Sequence, residues 1–191
     1  VEAWMARFFD VVIPPVFHLL AKHGLAFSAH GQNATLILKN GRPERLALRD
    51  FIDDVIVCDL DFPETASLPD EVKAVLLKLP ADFLVHFIQT TLFICVFRYI
   101  SVLLDQRSGL SENTFWSLAR DSVLRYQKRF PDLADRFAAF DLFGDEYPRL
   151  CLNRVRLFTH GYAEDDERPV PDFQGTVDNP LVGFERRSNA A

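Results

Sequence analysis

HGLAFSAHGQNATLILKNGRPERLALRDF, residues 23–51, is where this chain changes its period. Before it, Ala3 to His23 carries apolar residues at helical spacing. Lys22-His23 followed by Gly24 is a helix C-terminus signal, and Pro14-Pro15 predicts a kink or break. Within and just after the stretch, Leu25–Ser28, Ala34–Leu38, Arg45–Leu48 and Val55–Cys58 are short runs of strand type. Asn40-Gly41 separates the second run from the third, and both residues tolerate the positive φ of a tight hairpin. Residues 25–58 are therefore expected to form a small antiparallel β-meander.

Further along, a loop marked by Pro63 and Pro69 leads into a second helical region. Helices are expected over 70–79, 81–106, 112–129, 132–140 and 147–158, with Asp82 and Ser111 as caps. Pro80, Ser108-Gly109, Pro131 and Gly144 punctuate them. The last part, 159–191, is rich in Pro and acid and is expected to be an extended tail on the surface or partly disordered. The fold class is α+β and mostly helical: a helical bundle, 70–158, carrying the meander near its N-terminus.

Composition excludes several classes. Of 191 residues, 49% are hydrophobic and 25% charged, which is globular rather than disordered. There are 18 Phe against 4 Tyr, so thick apolar packing between elements is expected. A net charge of −6 with no basic block argues against nucleic acid as the partner. Cys58, Cys95 and Cys151 are scattered, with no CxxC pair; free thiols in a reducing cytoplasm are expected, without disulfide, zinc or iron–sulfur cluster. No signal-peptide pattern follows Val1. Phe83 to Leu104 is apolar enough to raise a membrane span, but His86, Gln89 and Arg98 lie inside it, and a buried helix is the better account.

The polar residues concentrate at one place. AHGQN, residues 29–33, puts His30, Gln32 and Asn33 around Gly31 at a strand end. His30 and Gln32 share parity, so an extended backbone would point them to one face. The hairpin then returns through LRDF, residues 48–51, bringing Arg49 and Asp50 beside the strand of His30. An imidazole, two amides, a guanidinium and a carboxylate make a polar ligand site: Asp50 suits Mg²⁺, and His30 with Arg49 suits phosphate or carboxylate. The same residues also fit a polar turn and a surface pair.

These residues carry a resemblance. The run 23–51, with AHGQN and LRDF at this spacing, resembles the signature of the NRPS-independent siderophore synthetases of the IucA/IucC type. LNRVRLF at 152–158 and NPL at 179–181 resemble that family's closing segment, whose region also carries a ferric-iron-reductase-like (FhuF-like) label. The resemblance implies an ATP-dependent ligase of siderophore biosynthesis. Such enzymes adenylate a carboxylate, usually of citrate or a citryl derivative, with ATP and Mg²⁺, and condense it with an amine or hydroxyl. By motif, His30, Gln32 and Asn33 line the ATP and carboxylate site with His30 catalytic, Arg49 stands beside them, and Asp50 is the Mg²⁺ ligand.

The resemblance further implies that residues 1–191 are a single C-terminal, palm-like domain of a larger cytoplasmic synthetase. An upstream N-terminal domain would hold the other nucleotide-gripping residues, the isolated domain would be inactive, and related enzymes suggest a homodimer. The sequence departs from the family pattern at Ser28, where an acidic residue is usual, and near Leu150, where a basic residue is not evident; either Arg154 or Arg156 substitutes or the metal site is weakened. Ser28 also feeds the alternative, a non-catalytic or degenerate homologue that keeps the scaffold as a binding module. A ferric-siderophore reductase would need clustered cysteines.

The remaining conspicuous residues read as structural. His18 and His23 suit capping or the surface, His86 the core, and His160 has no assigned role. Trp4, Trp116 and Phe83, Phe87, Phe93 and Phe97 read as core, while Asp53-Asp54 and Glu164 to Glu167 read as solvated.

Overall fold

The computed structural model describes residues 1–51, 55–151 and 172–182. The first helix, α1 (Glu2–His23), runs unbroken through Pro14 and Pro15, so of the expected kink or break the break does not occur. Each proline removes one helical hydrogen bond. The loss is offset because the same turns bury Ile13, Val16 and Phe17 in the core.

Gly24 ends α1 in the left-handed conformation, φ 63°, and its N–H reaches the Leu20 carbonyl at 2.9 Å. Its own carbonyl accepts the Cys58 N–H at 2.7 Å, fastening the helix end to a strand. A Cβ here would lie 2.7 Å from the ring of Phe62, which is wholly buried. Gly24→Ala therefore combines backbone strain with overpacking, and we expect it to cost about 3 kcal/mol. Urea unfolding checks this; a loss below about 1 kcal/mol would show that Phe62 yields freely.

The strands pair differently from a simple meander. β1 (Leu25–Phe27) pairs antiparallel with β4 (Val55–Cys58), Leu25 opposite Val57. Between them in sequence, β2 (Ala34–Lys39) and β3 (Arg42–Leu48) form a separate hairpin, Ala34 opposite Leu48, with Asn40 at φ 52° and Gly41 at φ 74°. The hairpin is thus nested inside the β1–β4 pair, and the expected sequential meander is corrected to that arrangement. After the short helices α2 (Pro63–Ala66) and α3 (Asp70–Lys73), β5 (Lys78–Leu79) joins β4 in parallel. The helix expected over 70–79 is therefore one turn long: the Val57 and Asp59 N–H groups take the Leu77 and Leu79 carbonyls, both at 3.0 Å.

Residues 81–108 are continuously helical, as α4 (Ala81–Ile88), a π-helical stretch Gln89–Phe97 and α5 (Arg98–Ser108). Pro80, not Asp82, caps α4; the Asp82 carboxylate accepts the Phe83 N–H at 2.9 Å within the first turn. Helix α6 (Glu112–Arg129) is capped by Ser111, whose hydroxyl accepts the Thr114 N–H at 3.1 Å. A 3₁₀ turn, Pro131–Leu133, leads into α7 (Ala134–Ala139).

The chain then departs from expectation again. Glu146–Cys151 is a strand, β6, rather than the start of a helix over 147–158, and the rest of that helix lies outside the described residues. Its antiparallel partner is β7 (Asp172–Asp178), so part of the expected extended tail is a paired strand. Just beyond, Asn179 is fully buried and its amide donates to the Leu142 and Gly144 carbonyls at 2.7 and 2.8 Å. The NPL segment thus locks the C-terminal part onto the loop after α7.

Two helices, Glu2–His23 and Ala81–Ser108, are long and apolar enough to cross a membrane by length and composition. Both contribute to the core here. Phe9 of α1 meets Phe97 and Phe115 edge-on at 5.3 and 4.9 Å, and Trp116 closes the cluster. Phe93, Phe97 and Trp116 are buried as expected and Phe83 and Phe87 partly so. Trp4 is not core: it is exposed. Asp10 and Arg125 join α1 to α6 through a two-point ion pair, 2.7 and 3.3 Å.

His18 is not a surface residue either. Its Nδ1 lies 2.7 Å from the Tyr126 hydroxyl, against Phe130 and edge-on to His23. Burial, then the charges of His23 and Lys22, hold its pKa below the usual 6.5, while burial pushes Tyr126 up to about 12. His86, buried in α4 as expected, is lowered by burial against an opposing pull from Asp82. A histidine depressed in the folded state takes its proton first in the unfolded state. The stability it contributes is complete above the unfolded value of 6.5 and is lost as pH falls below it. We expect the urea midpoint to fall between about pH 7.5 and about pH 5.5, and His18→Gln to flatten that slope. An equal slope in the variant would clear His18 of the effect.

Candidate functional site

The site is built at the open end of the β2–β3 hairpin, on the side away from its Asn40-Gly41 turn. Helix α1 steadies the far end: Trp4 Nε1 donates to the Gly41 carbonyl at 2.8 Å and Arg7 Nε to the Pro43 carbonyl at 3.1 Å. Neither role is legible in the sequence, since both partners are backbone oxygens 37 and 36 residues away.

At the site end, His30 to Asn33 is a turn, not extended strand. The His30 carbonyl accepts the N–H groups of both Asn33 and Ala34 at 3.0 Å. The parity argument for His30 and Gln32 therefore does not apply; the two are brought together because the Gln32 N–H donates to His30 Nδ1 at 3.2 Å. Across the ladder, the Arg49 N–H donates to the Asn33 carbonyl at 3.0 Å, and Arg49 Nε donates to the Gln32 carbonyl at 2.7 Å. The turn and the LRDF return are thus fastened to each other by both the backbone and the side chain of Arg49.

Exposure sorts the five expected residues. His30 is half-buried, while Gln32, Arg49 and Asp50 are exposed. Asn33 is 2% exposed, so its side chain belongs to the floor of the turn rather than its rim. Ser28 and Ala29 are buried beneath the turn as well. Asp50 has φ 64°, a left-handed conformation that Asp tolerates better than most residues but at a cost on the order of 1 kcal/mol. The reversal it imposes places Phe51 against Phe27, rings stacked with centroids 4.8 Å apart. Phe51 nevertheless stays 47% exposed. The Asp50 carboxylate makes no hydrogen bond or ion pair among the described residues, and Asp53 and Asp54 lie outside them.

No three His, Cys, Asp or Glu side chains converge into a metal-sized group among the described residues. Cys58 is a buried free thiol and Cys95 an exposed one. What the site offers is one carboxylate uncommitted among the described residues, one exposed guanidinium and one imidazole, on a turn held by five hydrogen bonds of 3.2 Å or less. Such a set can meet an anion directly and hold a hard cation jointly with that anion's oxygens.

The fold is that of the siderophore synthetases. The structure of aerobactin synthetase IucC from a hypervirulent Klebsiella pneumoniae pathotype superposes with a TM-score of 0.84 at 37% identity, covering 97% of this chain and 32% of that one. The chain is 85% identical over 191 residues to the rhizobactin siderophore biosynthesis protein RhbF of Rhizobium meliloti (strain 1021), covering 100% of this chain and 32% of RhbF. It is 41% identical over 180 residues to an aerobactin synthase of Escherichia coli, covering 94% of this chain and 31% of that protein. The family model described as ferric iron reductase FhuF-like transporter matches residues 2–165, and the chain belongs to that family. It spans about a third of the length of the curated relatives it matches, corresponding to their C-terminal part.

Proposed function

We propose that this chain is the C-terminal, palm-like domain of a siderophore synthetase, an ATP-dependent ligase that activates a carboxylate of citrate or a citryl derivative and joins it to an amine or hydroxyl. The observation that carries the reading is the fastening of the AHGQN turn to the LRDF return through Arg49, in a chain 85% identical throughout to a siderophore biosynthesis protein. ATP is a substrate here. His30 and Gln32 face its phosphates and the carboxylate, and Arg49 adds positive charge at the rim. Asn33 supports the turn from beneath.

Mg²⁺ fits the donor set: this ion keeps most of its waters and is held through one or two carboxylates together with substrate phosphates, and Asp50 is one such carboxylate, without a partner among the described residues. When bound, it would neutralise phosphate charge as pyrophosphate leaves. Asp50 would hold the cation on the protein side, and Arg49 and His30 would orient the anion.

The upstream domain of a longer protein would supply the rest of the nucleotide grip, so the isolated chain is inactive. Tyr99, Val102 and Leu103 leave an apolar face of α5 exposed that such a domain would cover. A cytoplasmic enzyme acting as a homodimer is part of the same proposal. A second reading, a non-catalytic homologue that binds without turning over, is favoured by the buried hydroxyl of Ser28 at the position of the family's acidic residue. Carboxylate-dependent exchange of labelled pyrophosphate into ATP by the longer protein tests the proposal. Exchange supports the ligase, and ATP binding without exchange supports the second reading.

A further inference from the structure

The hydrogen bonds of the turn determine more than its shape. A peptide N–H can only donate, so the 3.2 Å contact from Gln32 N to His30 Nδ1 requires Nδ1 to be a bare acceptor. In a neutral imidazole the single proton then sits on Nε2. The next peptide plane, Gln32–Asn33, is held at both ends. Its N–H reaches the His30 carbonyl at 3.0 Å, and its carbonyl takes Arg49 Nε at 2.7 Å. Rotating either peptide out of place would break a bond to Arg49 or to His30 itself.

We propose that Arg49 is a positioning residue that holds this turn, and that the turn sets His30 as the Nε2-protonated tautomer. His30 then meets a ligand oxygen as a neutral hydrogen-bond donor and not as a base. A base at Nε2 would need that nitrogen bare, which the Gln32 contact does not permit in the neutral ring. No proton is transferred to or from His30 in this role; its Nε2–H shares charge that builds on a phosphate or carboxylate oxygen. The identity of that oxygen rests on the proposed function above, whereas the tautomer rests on the turn geometry alone.

The test has two arms. In the first, the 191-residue chain labelled with ¹⁵N-histidine is observed by two-bond ¹H–¹⁵N correlation, with His30→Gln to assign the signals. The expected result is a bare Nδ1 and a protonated Nε2. A protonated Nδ1, or an even mixture of tautomers, overturns the assignment. Arg49→Ala should shift the His30 pattern towards a mixture and Arg49→Lys should largely restore it; an unchanged pattern in Arg49→Ala overturns the positioning role.

In the second arm, the longer synthetase is assayed for pyrophosphate exchange. His30→Gln keeps an amide N–H near the position of Nε2, whereas His30→Asn places one near Nδ1. The glutamine variant should retain at least about tenfold more activity than the asparagine variant, the scale of one donor to a charged group. Equal loss in both, or the reverse order, overturns the donor role. If the tautomer is as expected but both variants stay fully active, the functional reading fails while the geometry stands.

Discussion

If the proposed function holds, Asp50→Asn in the longer synthetase should lower carboxylate-dependent pyrophosphate exchange by about 100-fold and leave thermal stability unchanged within about 0.5 kcal/mol. Asparagine keeps the shape of the side chain and tolerates the left-handed backbone at φ 64°, so only the charge is removed. That charge has no hydrogen-bond or ion-pair partner among the described residues to lose, which is why the fold does not register the change. Asp50→Gly separates the effects further. It relieves the strain and should raise stability by about 0.5–1 kcal/mol while abolishing exchange. Activity and stability moving in opposite directions is the behaviour of a residue kept in an unfavourable conformation for its chemistry. Exchange within twofold of the parent in Asp50→Asn would remove Asp50 from the proposed cation site.

The largest stability effect is expected at Phe97. It is fully buried at the end of the π-helical stretch and meets Phe8, Phe9, Phe93, Phe115 and Trp116 with ring centroids 5.3–6.3 Å apart. Those partners belong to α1, α6 and the same helix, so one ring couples three segments distant in sequence. Truncation to alanine removes the transfer energy and leaves a cavity walled by rigid rings that cannot collapse into it. Phe97→Ala should cost about 4 kcal/mol, or roughly 8–16 °C in the melting midpoint of a domain this size. Phe97→Leu should cost about half as much. Calorimetric melting with a drop under about 3 °C for the alanine variant would show that the cluster repacks, and that the aromatic content is not what joins the helices.

The parts of the fold legible in the sequence are those governed by local chemistry. Asn40-Gly41 dictates a two-residue turn wherever it falls between strand-type runs, Ser111 caps the helix that follows it, and Gly24 ends α1. The α+β, mostly helical class follows from those signals. What was not legible depends on partners far away. Residues 78–79 and 146–151 are strands because β4 and β7 offer edges to them, and period-counting within either segment cannot see an edge elsewhere in the chain. The same limit turned a nested hairpin into an expected meander, since β1 and β4 pair across the whole β2–β3 unit.

At the site, the residue types and their return through the hairpin were legible, but not the division of labour among them. Nothing in AHGQN distinguishes a buried Asn33 from an exposed Gln32, or shows that Arg49 spends its Nε on a peptide oxygen. Both follow from a turn that an alternating pattern does not reveal.

In the proposed function the hairpin end carries half of a Mg·ATP site, with Asp50 on the cation. The most direct measurement is calorimetric titration of ATP, with and without Mg²⁺, into the longer synthetase bearing the parent sequence or Asp50→Asn. Binding by the parent should depend on Mg²⁺, and Asp50→Asn should lose about tenfold or more in affinity, with the residual binding indifferent to Mg²⁺. Equal affinity and equal Mg²⁺ dependence in the two proteins would contradict it.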